Sequence, residues 1–222
     1  MKQDALGRVE LVRRADGLTV RRVAAGGRLP GSRLVARLLL GRERRALRAL
    51  AGLAGVARVL APEAPDVLLR SYVPGTPLCR ARALPRDFFE RLEELVRALH
   101  ARGVCHNDLH KEANVLVGED GYPGLVDFQL ASVHARRGRT FAVRAREDLR
   151  HVWKHRAHYY RGLGVDEALP PQPPRSTLAE AWRRFGKPVY RRLAFLRGAD
   201  GEARRGPQDP WPTWSAPVGP RR

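Results

Sequence analysis

The sequence predicts an α+β fold, and three observations carry that expectation. Two segments, Arg8 to Arg14 and Leu18 to Ala24, read as strands around Ala15-Asp16-Gly17, a hairpin turn. An arginine-rich stretch, Ser32 to Leu53, repeats its apolar residues at helical spacing. A second hairpin, Val115 to Val126, follows a polar loop rich in acids and amides. With 222 residues the chain can bury one good core, so a single domain is expected.

Each element follows in order. Within Leu18 to Ala24, Arg21 and Arg22 alternate, so only one of them faces any cleft beneath the strand. In Ser32 to Leu53 the apolar positions include Leu34, Leu38, Leu47 and Leu50, and Gly41 is expected to break or bend the helix. The short basic run Arg33 to Leu40 could lie on an anionic membrane, but its length favours packing in the core. Glu43, the only acid of the stretch, suits the first turn of a second helical segment.

Val67 to Tyr72 is an apolar strand, and Val73-Pro74-Gly75-Thr76-Pro77 a stiff connection. Asp87 with Glu90 forms the pattern of a capping box for a helix over Phe88 to Arg102, ended by Gly103. Its stripe is Phe89, Leu92, Leu95, Val96 and Leu99. Val115-Leu116-Val117 is a short buried strand, and Glu119-Asp120-Gly121-Tyr122 is the turn that folds the chain back to deliver Asp127. Next come a basic loop, Ala135 to Arg139, and a helix over Arg146 to Tyr160. There Asp148 is either an anchor beneath the preceding loop or a helix-start acid. Pro170 to Pro174 is a stiff linker, and Thr177 to Leu196 a last amphipathic helix interrupted by Pro188. From about Arg204 the chain is dense in Pro, Gly, Arg and Trp and is expected to be disordered.

The net charge is +19, and only four of the 42 basic residues are lysines: Lys2, Lys111, Lys154 and Lys187. A field of that sign attracts nucleotides, nucleic acid or an anionic lipid surface. Cys79 and Cys105 make no disulfide framework and suit a reducing cytosol. No signal-peptide core or membrane-length apolar run occurs, so a cytoplasmic protein is expected, or one peripheral to the inner face of a membrane.

The chemistry concentrates in His106-Asn107-Asp108-Leu109-His110-Lys111-Glu112-Ala113-Asn114 and in Leu125-Val126-Asp127-Phe128. Two carboxylates and a carboxamide, brought together by a hairpin, are the minimal equipment for holding Mg²⁺ and a nucleoside triphosphate against a hydroxyl. One carboxylate can orient the hydroxyl and take its proton, while Asn and the other carboxylate are hard ligands.

These motifs resemble the protein-kinase-like fold. His106-x-Asp108 matches the catalytic loop, and Asp127-Phe128-Gln129 stands where Asp-Phe-Gly usually stands. The pattern looks closest to small bacterial kinase-like proteins near the RIO kinases and the lipopolysaccharide-core kinases, and it covers roughly residues 8 to 160. The resemblance implies a minimal kinase-like domain over residues 1–203. It divides into a small lobe to about residue 73, a hinge at about 72–78 and a large lobe from about 79, with a tail at 204–222. It implies Asp108 as catalytic base, Asn114 and Asp127 as Mg²⁺ ligands beside ATP, and His106 as a brace for the loop. Arg21 is the best counterpart of the lysine that pairs the phosphates, and Glu43 of the helix glutamate that pairs with that cation. Tyr72 and Val73 fall in the hinge, whose backbone binds adenine.

The sequence departs from that pattern in several places. Asp108 and Asn114 are separated by five residues where four are usual, so the loop must bulge or Asn114 must reach differently. Gln129 replaces a glycine, arginine replaces lysine, and no glycine-rich phosphate cover precedes the strands, since Gly26-Gly27 comes after them. No Ala-Pro-Glu follows, and little chain separates Asp127 from the Asp148 helix, which leaves no room for a long activation segment. The expected activity is transfer of the γ-phosphate of ATP to a hydroxyl by a serine/threonine-type protein kinase of the RIO-like group. The alternatives are a lipopolysaccharide-core sugar kinase and a non-catalytic protein that binds nucleotide or RNA.

Overall fold

The computed structural model describes residues 2–4, 7–14, 17–25 and 31–162. The turn residues Ala15-Asp16, Gly26-Gly27, the linker at 170–174, the helix expected over Thr177 to Leu196 and the tail at 204–222 lie outside them.

Strand β2 (Gly7–Arg14) pairs antiparallel with β3 (Gly17–Ala24) along its full length, from Gly7↔Ala24 to Arg14↔Gly17. The sheet is completed by β1 (Lys2–Asp4), β4 (Val59–Ala64) and β5 (Val67–Ser71), in the order β1-β2-β3-β5-β4, antiparallel throughout. β1 and β4 were not expected, because neither carries a clean alternation. β4 holds Pro62 and shifts register between Leu60 and Ala64, irregularities that an edge position tolerates.

Helix α1 (Ser32–Ala49) runs between β3 and β4 and packs on this sheet. It passes unbroken through Gly41, contrary to expectation, and it ends before Leu53. A mid-helix glycine costs about 1 kcal/mol, less than the burial of Leu40, Leu47 and Leu50 on either side of it returns. The buried face is Ser32, Ala36, Leu40, Glu43, Ala46 and Leu47. Leu34 and Leu38, expected in the core, are 63% and 59% exposed, with Val35 beside them at 46%. Small Ser32 and Ala36 take the sheet side instead, and Glu43 is a buried interior residue, not a first-turn acid.

The second lobe begins with β6 (Thr76–Pro77) and α2 (Phe88–Ala101). Phe88, Phe89, Leu92, Val96 and Leu99 of α2 are fully buried, and Gly103 beyond it adopts φ 73°, the left-handed residue that closes the helix. The expected capping box does not form. Asp87 makes no side-chain cap bond and pairs with Arg91 at 2.5 Å, while Glu90 pairs with Arg156 of a later helix at 2.8 Å. β7 (Val104–Cys105) pairs with β10 (Ser132–Val133), and β8 (Val115–Val117) pairs with β9 (Pro123–Leu125) and with β6. Helix α3 (Arg139–Gly162) starts seven residues before the expected Arg146, so Asp148 lies in its interior and not at its start. Among the described residues no helix is long and apolar enough to cross a membrane.

The lobes are tied through the segment after α1. The Leu125 N–H donates to the Gly55 carbonyl at 2.8 Å, and Gly55 holds φ 78°. A Cβ at Gly55 would stand 2.6 Å from the Pro123 carbonyl oxygen and 3.1 Å from a methyl of Leu95. Gly55→Ala should therefore lower unfolding free energy by about 1–3 kcal/mol. A urea titration against wild type checks this, and an unchanged midpoint would show that the close approach is not required.

Candidate active site

The loop from His106 to Asn114 leaves β7 and meets the base of α3. Asp148, 1% exposed, accepts the His106 N–H at 2.8 Å on Oδ2 and the Asn107 N–H at 2.9 Å on Oδ1. His100 Nε2 lies 3.2 Å from the same Oδ2. Of the two roles left open for Asp148, the anchor is the one observed. Asn107 adopts φ 64°, a left-handed conformation that asparagine tolerates better than most residues. Its amide nitrogen donates to the Leu130 carbonyl at 2.8 Å, joining the loop to the turn that follows Asp127.

His106 is fully buried and packs against Phe128 with the rings tilted, centroids 4.6 Å apart. Its Nε2 donates to the Val126 carbonyl at 3.0 Å, the only role open to that nitrogen, since a carbonyl only accepts. Burial holds its pKa below the usual histidine range, so the ring braces the loop in its neutral form.

Asp108 is 2% exposed and sits among three polar side chains. Lys111 Nζ approaches Oδ2 at 2.7 Å, Asn114 Nδ2 donates to the same oxygen at 3.0 Å, and His110 Nδ1 lies 3.1 Å from Oδ1. Asn114 therefore does reach Asp108 despite the longer spacing. Between them lies a single helical turn, Glu112–Asn114, propped from α3. His155 Nε2 donates to the Leu109 carbonyl at 2.8 Å, and the Tyr159 hydroxyl lies 3.0 Å from Glu112 Oε2.

The Val126 N–H donates to the Asn114 carbonyl at 3.0 Å, which sets Asp127 beside the loop's end. Asp127 itself adopts φ 65°, and Gln129 Nε2 donates to its Oδ1 at 2.6 Å. Gln129 thus does not simply loosen or stiffen the chain; it holds the carboxylate. The turn is fixed further by Arg42 of α1, whose guanidinium reaches the Leu130 carbonyl at 3.2 Å and the Ala131 carbonyl at 3.3 Å.

Asn114 and Asp127 suit a magnesium ion. The amide nitrogen of Asn114 is committed to Asp108, so its oxygen is the atom left for a cation, and Asp127 adds a second hard oxygen ligand.

The cation above the site is not the one expected. Arg21 points to the outer face of the sheet and pairs with Glu10 at 3.0 Å. Its neighbour Arg22, on the inner face, lies 3.3 Å from Glu43 Oε2 and 3.9 Å from Asp127 Oδ1. Strand alternation allowed either residue, and only the packing of α1 on one face of the sheet chose between them. Glu43 is 1% exposed and takes a second cation, Arg70 of β5, 3.3 Å from Oε1. Arg70, Lys111 and Arg42 went unassigned in the sequence. Lys111 was findable from its place three residues after Asp108, but nothing local marks Arg70 or Arg42.

Tyr72 and Val73 follow β5. The Tyr72 N–H donates to the Leu18 carbonyl at 3.2 Å, and Val73 packs against the core over Gly124. Arg137 of the basic loop donates to the Ala101 carbonyl at 2.5 Å, so that arginine finishes α2. Cys105 is buried and its thiol is pushed up to about 12, chiefly by burial, so it is structural and protonated. Its sulfur, His100 and Asp148 lie within 4.8 Å of one another, but both Asp148 oxygens already serve backbone N–H groups.

Residues 8–137 match the family model described as "APH: Phosphotransferase enzyme family". The chain belongs to the phosphotransferase enzyme family. Among solved structures, the chain is similar to the Rio2 kinase from Chaetomium thermophilum, with a TM-score of 0.57 and 17% identity over 76% of this chain and 57% of that one. It is also similar to the Rio2 kinase–ADP/Mg²⁺–phosphoaspartate complex from the same organism, with a TM-score of 0.54 and 18% identity over 88% of this chain and 68% of that one. At that identity the likeness establishes the fold, which is protein-kinase-like and RIO-like. The chain spans a little over half the length of the first of these. No curated protein matches the sequence.

Two predictions follow from the loop and its support. Asp148→Ala leaves two backbone N–H groups without their acceptor and should cost about 3–5 kcal/mol, read by chemical denaturation. Stability should also fall on acidification. Burial lowers the pKa of His106 and His155, and burial with the Arg150 charge lowers that of His151 to about 4. Each titrates near about 6.5 when unfolded. The unfolded chain therefore binds more protons below that value, and stability is full above it and is lost from about 6.5 down toward 4. The melting temperature should drop across that window, less steeply in His151→Gln; a rise would overturn the neutral assignment.

Proposed function

We propose that this phosphotransferase moves the γ-phosphate of ATP, bound with Mg²⁺, to a hydroxyl group, with a protein serine or threonine as acceptor. What carries this reading is the convergence of Asp108, Asn114 and Asp127 in one loop and hairpin, with a cationic side chain, Arg22, against Asp127.

The steps assigned to the chain are few. Asp108, oriented by Lys111 and Asn114, accepts the proton of the acceptor hydroxyl as its oxygen bonds to phosphorus and ADP departs. Arg22 neutralises phosphate charge, as does Lys111 where the transferred group passes Asp108. Asn114 and Asp127 would hold Mg²⁺, whose contribution is to offset the phosphate charge. Tyr72 and Val73 offer the backbone edge for adenine. A neighbour of the same fold was solved with ADP/Mg²⁺, which supports the choice of nucleotide and metal.

A second reading, a lipopolysaccharide-core sugar as acceptor, is favoured by two observations. Only residues 128–138 separate Asp127 from α3, and they form a short turn, β10 and a loop, little chain from which to build a peptide-binding platform. The outer face of α1 also exposes Leu34, Val35 and Leu38 among arginines, a composition suited to an anionic membrane surface where such an acceptor resides. In a third reading the chain binds nucleotide or RNA without turnover.

Transfer of ³²P from MgATP, offered protein and purified lipopolysaccharide in parallel, separates the three. Wild type should label one acceptor, and Asp108→Asn should lower the rate about 10²–10⁴-fold, with Asp127→Ala similarly impaired. Equal labelling by all three proteins would remove the catalytic reading. Label confined to the glycolipid would replace the protein acceptor. Nucleotide binding without any transfer would leave the binding-only reading.

A further inference from the structure

The buried carboxylate of Glu43 is held by two guanidinium groups, where an ion pair needs one. Arg22 meets Oε2 and Arg70 lies near Oε1, each at 3.3 Å, and both arginine side chains are only 12% exposed. They come from adjacent strands. The pairing of Arg22 with Leu68 and of Val20 with Arg70 puts the arginines two positions apart on one face of the sheet. Their environments differ, because only Arg22 also reaches toward Asp127, at 3.9 Å. Arg70 Nε and Glu43 Oε1 are both buried and face each other without the alignment of a hydrogen bond, so this contact is chiefly one of charge.

A single cation in this position would have conflicting duties. Glu43 is 1% exposed, and a carboxylate at that depth cannot be left uncompensated. A phosphate chain entering beside Asp127 also needs a cation, and one guanidinium brings a single positive charge to be shared between the two anions. The second arginine removes the conflict. We propose that Arg70 is a positioning residue for nucleotide binding: it keeps the Glu43 charge compensated, so that Arg22 is released to the phosphates. This inference rests on the nucleotide reading above and explains how arginine serves where that reading otherwise expects lysine.

The test is a titration of the full-length chain with MgADP by calorimetry, using wild type, Arg70→Met, Glu43→Gln and the double variant. Arg70→Met should weaken MgADP by about tenfold, within the usual range for coupled buried charges. With Glu43 neutralised the demand on Arg22 disappears. Glu43→Gln and the double variant should then bind alike, and the double variant should be tighter than Arg70→Met alone. That rescue, by removing a second charge, is not expected of a purely structural role. If Arg70→Met does not fold, comparing Glu43→Gln with the double variant makes the same measurement, and a tenfold loss between them would overturn the proposal. So would Arg70→Met that binds as wild type does, or a double variant as weak as Arg70→Met. Wild type that fails to bind MgADP would instead bring down the nucleotide reading, and this inference with it.

Discussion

The carboxylate of Asp148 is the contact on which the rest of the site depends. It lies in the interior of α3 and accepts the N–H groups of His106 and Asn107, more than forty residues earlier in the chain. Those N–H groups belong to a loop whose second residue has left-handed backbone, a conformation that needs an outside partner to persist. With both donors captured, His106 is turned onto Phe128 and Asn107 onto Leu130, so the catalytic-type loop and the segment after Asp127 are fixed by one anchor. Removing the acceptor would leave buried donors unmatched at the point where geometry matters most.

α3 supports the loop a second time further along. His155 and Tyr159 bind the Leu109 carbonyl and the Glu112 carboxylate, both within the stretch between Asp108 and Asn114. From the other lobe, α1 contributes Glu43 to the arginine pair and Arg42 to the carbonyls of the turn after Asp127. That turn is therefore held from both sides, by Asn107 and by Arg42, with Gln129 binding the Asp127 carboxylate itself.

Much of this was legible in the order of residues. The β2–β3 hairpin, the stripe of α2 and the hairpin that returns Asp127 all follow from local periodicity and turn chemistry, which depend on near neighbours. The trio Asp108, Asn114 and Asp127 was legible for the same reason, since one loop and one hairpin carry it. Where the expectation failed, the deciding partner was distant. Leu34 and Leu38 satisfied helical spacing as well as the buried residues did, and only the close approach of the sheet gave that face to Ser32 and Ala36. Asp87 and Glu90 had capping-box spacing, yet Arg91 and Arg156 claimed them.

The sequence by itself determined the chemical inventory: which carboxylates and amides stand together, that they sit in a loop followed by a hairpin, and that the chain is strongly basic. Tertiary structure decided which cations serve them. Arg21 and Arg22 are indistinguishable in sequence, and alternation says only that they part company. The side of the sheet on which α1 packs sends Arg22 to Glu43 and Asp127, sends Arg21 to Glu10, and brings Arg70 from another strand to the same buried acid. A buried charge selects its partners through space, at separations in the chain that no local pattern records.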